Sequence, residues 1–119
     1  MPSIFHIQTQ APLPVNVAIT ASTVTTIVDA TDNSYFVPWF EVNENAGSTP
    51  NLTVDIYDGT NTRYLGSDAG STYVALAVTA KLSVKFTAGY VIPKGSKLRV
   101  TSSDAAGKFH VQGVAHRIQ

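Results

Sequence analysis

The feature that most restricts this chain is a two-residue alternation of apolar and polar side chains, interrupted about every eight to twelve residues by Gly, Pro, Asn, Asp or Ser. Leu52, Val54 and Ile56 alternate with Thr53, Asp55 and Tyr57, and Leu82, Val84 and Phe86 alternate with Lys81, Ser83 and Lys85. Successive side chains of a strand point to opposite sides, so the pattern describes strands with one buried face. No segment carries a 3.6-residue period flanked by caps, and no helix longer than a turn or two is expected. Thr and Val recur throughout, and β-branched side chains pack well on a pleated surface.

In chain order, residues 15–19 and 23–29 read as two strands of a hairpin joined at Ala21-Ser22. Residues 34–43 form the most aromatic segment, with Tyr35, Phe36, Trp39 and Phe40, and Pro38 inside it requires an edge, a bulge or a break. Residues 51–58 read as the cleanest strand and Asp58-Gly-Thr-Asn61 as its hairpin turn. Weaker strands are expected over 62–65 and 71–78, then a strong one over 81–87. Tyr90-Val-Ile92 and 97–101 read as two strands of a hairpin reversed by Pro93-Lys-Gly95, with Ile92, Leu98 and Val100 inward and Lys94, Lys97 and Arg99 outward. A long final strand is expected over 108–118. Eight to ten short strands in this order predict an all-β fold, a single antiparallel β-sandwich of jelly-roll or Ig-like type, with a small β-barrel as the alternative.

At 119 residues the chain has room for one core. Residues 1–14 hold three of the six prolines around Ile4-Phe-His-Ile7, which predicts an N-terminal extended arm or edge strand ahead of a sandwich domain over 15–119. As an arm, this segment would lie on a neighbouring subunit, with Phe5 and Ile7 as its contact residues.

Only 13% of residues are charged, and eight Lys and Arg balance eight Asp and Glu. A neutral surface offers no field for nucleic acid or an anionic membrane and little resistance to association with other protein. No apolar run approaches the ~20 residues that span a bilayer. The first residues lack the basic and long apolar regions of a secretory signal, so a soluble protein made in a cytoplasm is expected. With no cysteine, disulfides and Cys-based chemistry are excluded.

Residues that could carry chemistry each have a simpler reading. His110 and His116 share a face of one strand but lie roughly 20 Å apart along it, too far for a common metal ion. Asp29, Asp32 and Asn33 could offer oxygens to calcium, yet a turn needs those residue types in any case. Asp55 and Asp58, or Glu41 and Glu44, could be paired carboxylates, although Asp58 suits its turn and the others suit solvated positions. Nucleophile elbow, phosphate loop, zinc-protease and dinucleotide motifs are all missing from the sequence. The expectation is therefore no catalytic residue, no metal ligand, no cofactor and no enzyme activity. Trp39, Phe36 and Phe40 read as core anchors, with Trp39 and Tyr35 as the alternative candidates for exposed rings on which a sugar could stack.

Leu52-Thr-Val-Asp-Ile-Tyr-Asp-Gly59 and Ile92-Pro-Lys-Gly-Ser-Lys-Leu-Arg-Val-Thr101 resemble the small all-β accessory proteins of tailed-bacteriophage virions. In many of those, a strand ending in a hairpin Gly precedes an apolar-Pro-x-Gly-x-x-Leu-x-Val element. The resemblance covers residues 51–118 and is one of pattern. It implies a non-enzymatic virion protein made in the host bacterial cytoplasm, foremost a capsid decoration or cement subunit, with a neck or tail accessory subunit and a carbohydrate-binding module as alternatives. Its partners would be the major capsid protein or other virion subunits, without nucleic acid or membrane, in a homo-oligomer taken to be a trimer. Lys94, Lys97 and Arg99 join Phe5 and Ile7 as candidate partner contacts.

Overall fold

A computed structural model describes residues 13–19, 24–44, 51–70, 76–77, 83–102 and 109–118. Its strands are β1 (Leu13–Ile19), β2 (Val24–Ala30), β3 (Tyr35–Glu44), β4 (Asn51–Tyr57), β5 (Thr62–Tyr64), β6 (Leu76–Ala77), β7 (Ser83–Phe86), β8 (Tyr90–Ile92), β9 (Ser96–Ser102) and β10 (Phe109–Arg117). All the pairings are antiparallel, and no helix occurs among the described residues.

Two sheets form. The first has the order β1-β10-β3, with β7 and β8 both paired to the free side of β3. The second has the order β2-β9-β4, with β5 and β6 both paired to the free side of β4. Each sheet thus has four strand positions, the fourth filled by two short pieces. Counting each split strand once, the order is 1-8-3-6 in one sheet and 2-7-4-5 in the other, and the chain changes sheet at almost every turn. That is jelly-roll connectivity, which selects among the sandwich and barrel alternatives.

The core lies between the sheets. Phe40, Phe86, Val37, Val42, Phe109, Val111 and Ile92 from the first sheet meet Leu52, Val54, Ile56, Leu98 and Val100 from the second. Phe40 and Phe86 are cross-strand partners whose rings stack, with centroids 4.6 Å apart and planes 5° apart. The alternation expected for β4, β9 and β10 holds: 52, 54 and 56, then 98 and 100, then 109, 111, 113 and 115 are buried.

Two expected hairpins take a different form. β1 and β2, the strands joined through 20–23, lie in different sheets, and so do β8 and β9 on either side of Pro93-Lys-Gly95. The latter turn is an arch over the end of the sandwich, with Gly95 at φ +91°. Gly95 N–H donates to Ala30 O at 2.8 Å and Lys94 N–H to Ser34 Oγ at 2.9 Å, tying the arch to the β2–β3 connection. Alternation places side chains on faces equally well in a hairpin or an arch, so it could not distinguish the two. The 58–61 turn is a hairpin as expected: Asp58 N–H donates to Asn61 O, and the Asp58 carboxylate accepts from the N–H groups of Thr60 and Asn61 at 2.9 and 2.7 Å. The expected strand over 71–78 is described only at β6. Residues 1–12 lie outside the described residues, whereas Leu13 and Pro14 already belong to β1, an edge strand that tolerates proline.

Pro38 sits in β3, which has neighbours on both sides. The chain accommodates it with a bulge toward each. Against β10, one residue lies between Val114 and His116 while two lie between Phe36 and Trp39. Against the opposite edge, the break between β7 and β8 at 87–89 falls opposite Pro38 and Trp39, so no partner strand relies on the N–H that proline lacks. The bulge also resets the alternation. Val37 and Phe40 both point inward, and Trp39 turns to the outer face.

Candidate functional site

Three aspartates, Asp29, Asp58 and Asp68, are engaged in building turns. Asp29 accepts from Thr31 N–H at 3.0 Å and from its hydroxyl. Asp68 accepts from Thr87 N–H at 2.8 Å and its hydroxyl at 2.6 Å, while Asp68 N–H donates to Lys85 O. Hydrogen bonds from Thr31, from Asn61 and Thr60, and from Thr87 hold the carboxyls of Asp29, Asp58 and Asp68 respectively below the ordinary carboxylate range. Their oxygens are therefore committed to nearby backbone and hydroxyl donors. Among the described residues no three His, Asp or Glu side chains gather to hold a metal ion.

Asp55 departs from the expectation of a solvated position. It lies on the outer face of β4 but is only 3% exposed, because Arg99 stands directly opposite on β9 and donates from Nε to Oδ1 at 2.8 Å. The guanidinium also lies over the Tyr57 ring, 4.0 Å from its centroid. Arg99 is therefore committed within its own sheet. Lys94 is exposed in the arch, and Lys97 is exposed on β9 between Asp29 of β2 and Tyr57 of β4. Phe5 and Ile7 lie outside the described residues.

The outer face of the first sheet divides into two halves. Toward the β9–β10 end, Gln112 donates to Glu41 and Ser83 donates to Asn43, pairing polar groups across three strands. At the other end, the registers Val114–Trp39, His116–Phe36 and Phe36–Val91 set apolar side chains next to one another. Trp39 is 39% and Val91 47% exposed there, with Phe36 and Val114 half-buried. The Phe36 ring packs on Gly89, whose φ of +79° and missing side chain make room for it: a Cβ at that position would come within 3.3 Å of the ring. Trp39 and Tyr35 do not share a surface, since Tyr35 packs inward against the core.

No protein-family model matches the chain, and no curated protein does so. Among solved structures, a chain of the acid-stable capsid of Helicobacter pylori bacteriophage KHP30 superposes with a TM-score of 0.62 at 13% identity, over 97% of this chain and 94% of that one. The chain shares its fold with that capsid chain. A subunit of the disulfide-linked pili that form Bacillus endospore appendages also superposes, with a TM-score of 0.53 at 14% identity over 100% and 93% of the two chains. At such identity the likeness is one of fold, and the side chains of each surface must be judged from this chain alone.

The sequence pointed to the charged residues of the arch and β9 as contacts and did not single out Phe36, Val91 and Val114. Val91 was findable, because Tyr90 and Ile92 flank it on the buried side of an alternating strand. Phe36 and Trp39 were not, because their common face depends on the bulge at Pro38.

Proposed function

We propose that this protein is a non-enzymatic structural subunit of a tailed-phage virion, foremost a capsid decoration subunit that cements the shell through protein–protein contacts. The observation that carries the reading is the end-to-end match of its jelly roll to a phage capsid chain of nearly equal length. Three features of the molecule support it. Asp29, Asp58 and Asp68 are spent on turns and Asp55 on an internal ion pair, the net charge is zero, and an apolar half-face is exposed on one sheet.

Its partners are then the major capsid protein or neighbouring virion subunits, its place is the virion, and it assembles as a homo-oligomer, a trimer by preference. Lys94 and Lys97 remain suitable contacts at the surface. A neck or tail position uses the same surfaces. The pilus likeness does not extend to that assembly's linkage, because a chain without cysteine forms no disulfide. Exposed Trp39 favours a second reading, a carbohydrate-binding surface, in which the ring stacks on a sugar.

Co-sedimentation with purified shells lacking the subunit tests the main reading, and a reconstruction of the decorated particle would locate each copy. Saturable binding is expected, and the Lys94→Ala/Lys97→Ala pair should weaken it. A protein that stays in the supernatant with every shell and neck preparation overturns the proposal, and hits on a glycan array that vanish in Trp39→Ala would favour the carbohydrate reading.

A further inference from the structure

The apolar half-face around Trp39 lies where the chain enters the fold. β1 begins with Leu13 opposite Ala115 and Pro14 opposite Val114, so the residues before Leu13 start beside Val114 and His116. We propose that this half-face, formed by Phe36, Trp39, Val91 and Val114, is the seat of the Ile4-Phe-His-Ile7 segment of the same chain.

Four points on the molecule lead there. From β1 to β3 is two strand spacings, about 10 Å, and the five residues 8–12 span up to roughly 17 Å when extended. Residues 1–12 include no Asp, Glu, Lys or Arg, and neither do the four residues of the half-face, so docking strips water from no charged side chain. Tethering gives the segment an effective concentration on the order of millimolar, so a few apolar contacts suffice for it to outcompete a free partner. The neighbouring half of the same face, where Gln112 pairs with Glu41 and Ser83 with Asn43, is polar and limits the seat to one end of the sheet.

Trp39 is the sole tryptophan, so its emission reports this surface without interference. In the full chain, emission should be blue-shifted and resistant to acrylamide, independent of protein concentration over a hundredfold range. Replacing Ile4, Phe5 and Ile7 together by Ser should shift emission to the red by several nanometres and raise the quenching constant at least twofold, with the melting curve showing that the sandwich persists. Because the chain has no cysteine, a Ser3→Cys variant can carry one spin label in the otherwise unaltered chain. Broadening of the Trp39 indole and the Val91 and Val114 methyl signals is expected when label and isotope share a chain. Equal quenching in the full chain and the serine variant overturns the inference. So does broadening that appears only between separately labelled chains, which would assign the seat to the segment of a second copy. All of these readouts use the isolated protein, so they stand or fall separately from binding to shells.

Discussion

Asp55 and Arg99 face each other across β4 and β9, with the Tyr57 ring beneath the guanidinium and Tyr64 in register with Asp55 on β5. Removing the cation leaves a carboxylate on the sheet without its partner. Arg99→Ala is therefore expected to destabilise the protein by about 2–3 kcal/mol, whereas Lys97→Ala, two residues away and exposed, should stay within about 0.5 kcal/mol. Urea denaturation of the two variants checks the contrast, and equal midpoints would show that the pair is dispensable. Gly113 presents the opposite case, in which the missing side chain matters. A Cβ there would lie 2.6 Å from Trp39 O and 2.8 Å from Phe40 Cβ, both held by the bulge of β3. Gly113→Ala should cost about 1–3 kcal/mol through strain on that bulge, read as a lowered melting temperature. Alternation assigned residue 113 to the buried face, but nothing local distinguishes a glycine that fills an inward position from one required by a close backbone approach. The same holds for Asp55, whose partner is 44 positions away in the chain.

The two split strands define the behaviour of the sheet edges. β5 and β6 are separated by an excursion that begins at Leu65 and carries Asp68 across to β7, where it bonds Lys85 O and Thr87. An excursion from one sheet thus covers backbone at the edge of the other, which blunts an edge that would otherwise recruit a foreign strand. The carboxylate is central to that cover, and Asp29 and Asp58 do the same for their own turns. Each has a folded pKa below its ordinary value, so the stabilisation is fully present above that value and is lost as pH falls through the folded one. Melting temperature should therefore be flat from neutral pH down to about pH 5 and fall steeply below about pH 4. Asp68→Asn, which keeps an acceptor but cannot ionise, should flatten that fall, measured by thermal melts across the acid range. An unchanged acid limb would mean that these bonds do not discriminate between the two protonation states. Pro38 made the departure from a plain strand legible in advance, although not its form: a bulge toward both neighbours of an interior strand.

Over the whole molecule, the chain crosses between sheets at most of its connections, and almost every ladder joins segments far apart in sequence. β1, near the start, pairs with β10, near the end. Such non-local pairing must bear loop-closure entropy before contacts repay it, so refolding in the range of milliseconds to seconds is expected. Stopped-flow dilution from urea, followed by Trp39 fluorescence, measures it, and a microsecond phase carrying the full amplitude would contradict the topology. At this scale the absence of net charge also bears on the proposed role, because association driven by apolar and backbone contacts responds weakly to screening. Binding to shells should accordingly respond to salt only through Lys94 and Lys97, and the response should vanish in the Lys94→Ala/Lys97→Ala pair.

Alternation, turn residues and composition by themselves determined that the chain is all-β and antiparallel, which faces of β4, β9 and β10 are buried, and that neither cysteine chemistry nor a strong charge field is available to it. Those properties are local, since a strand's period and a turn's backbone angles are set within a few residues. Which strands share a sheet was decided only in the tertiary structure. So were the arch at Pro93-Lys-Gly95, the burial of Asp55 beside Arg99, and the exposure of Trp39 among Phe36, Val91 and Val114. Each of these depends on which distant strand lies opposite, and a two-residue period looks the same whatever its partner.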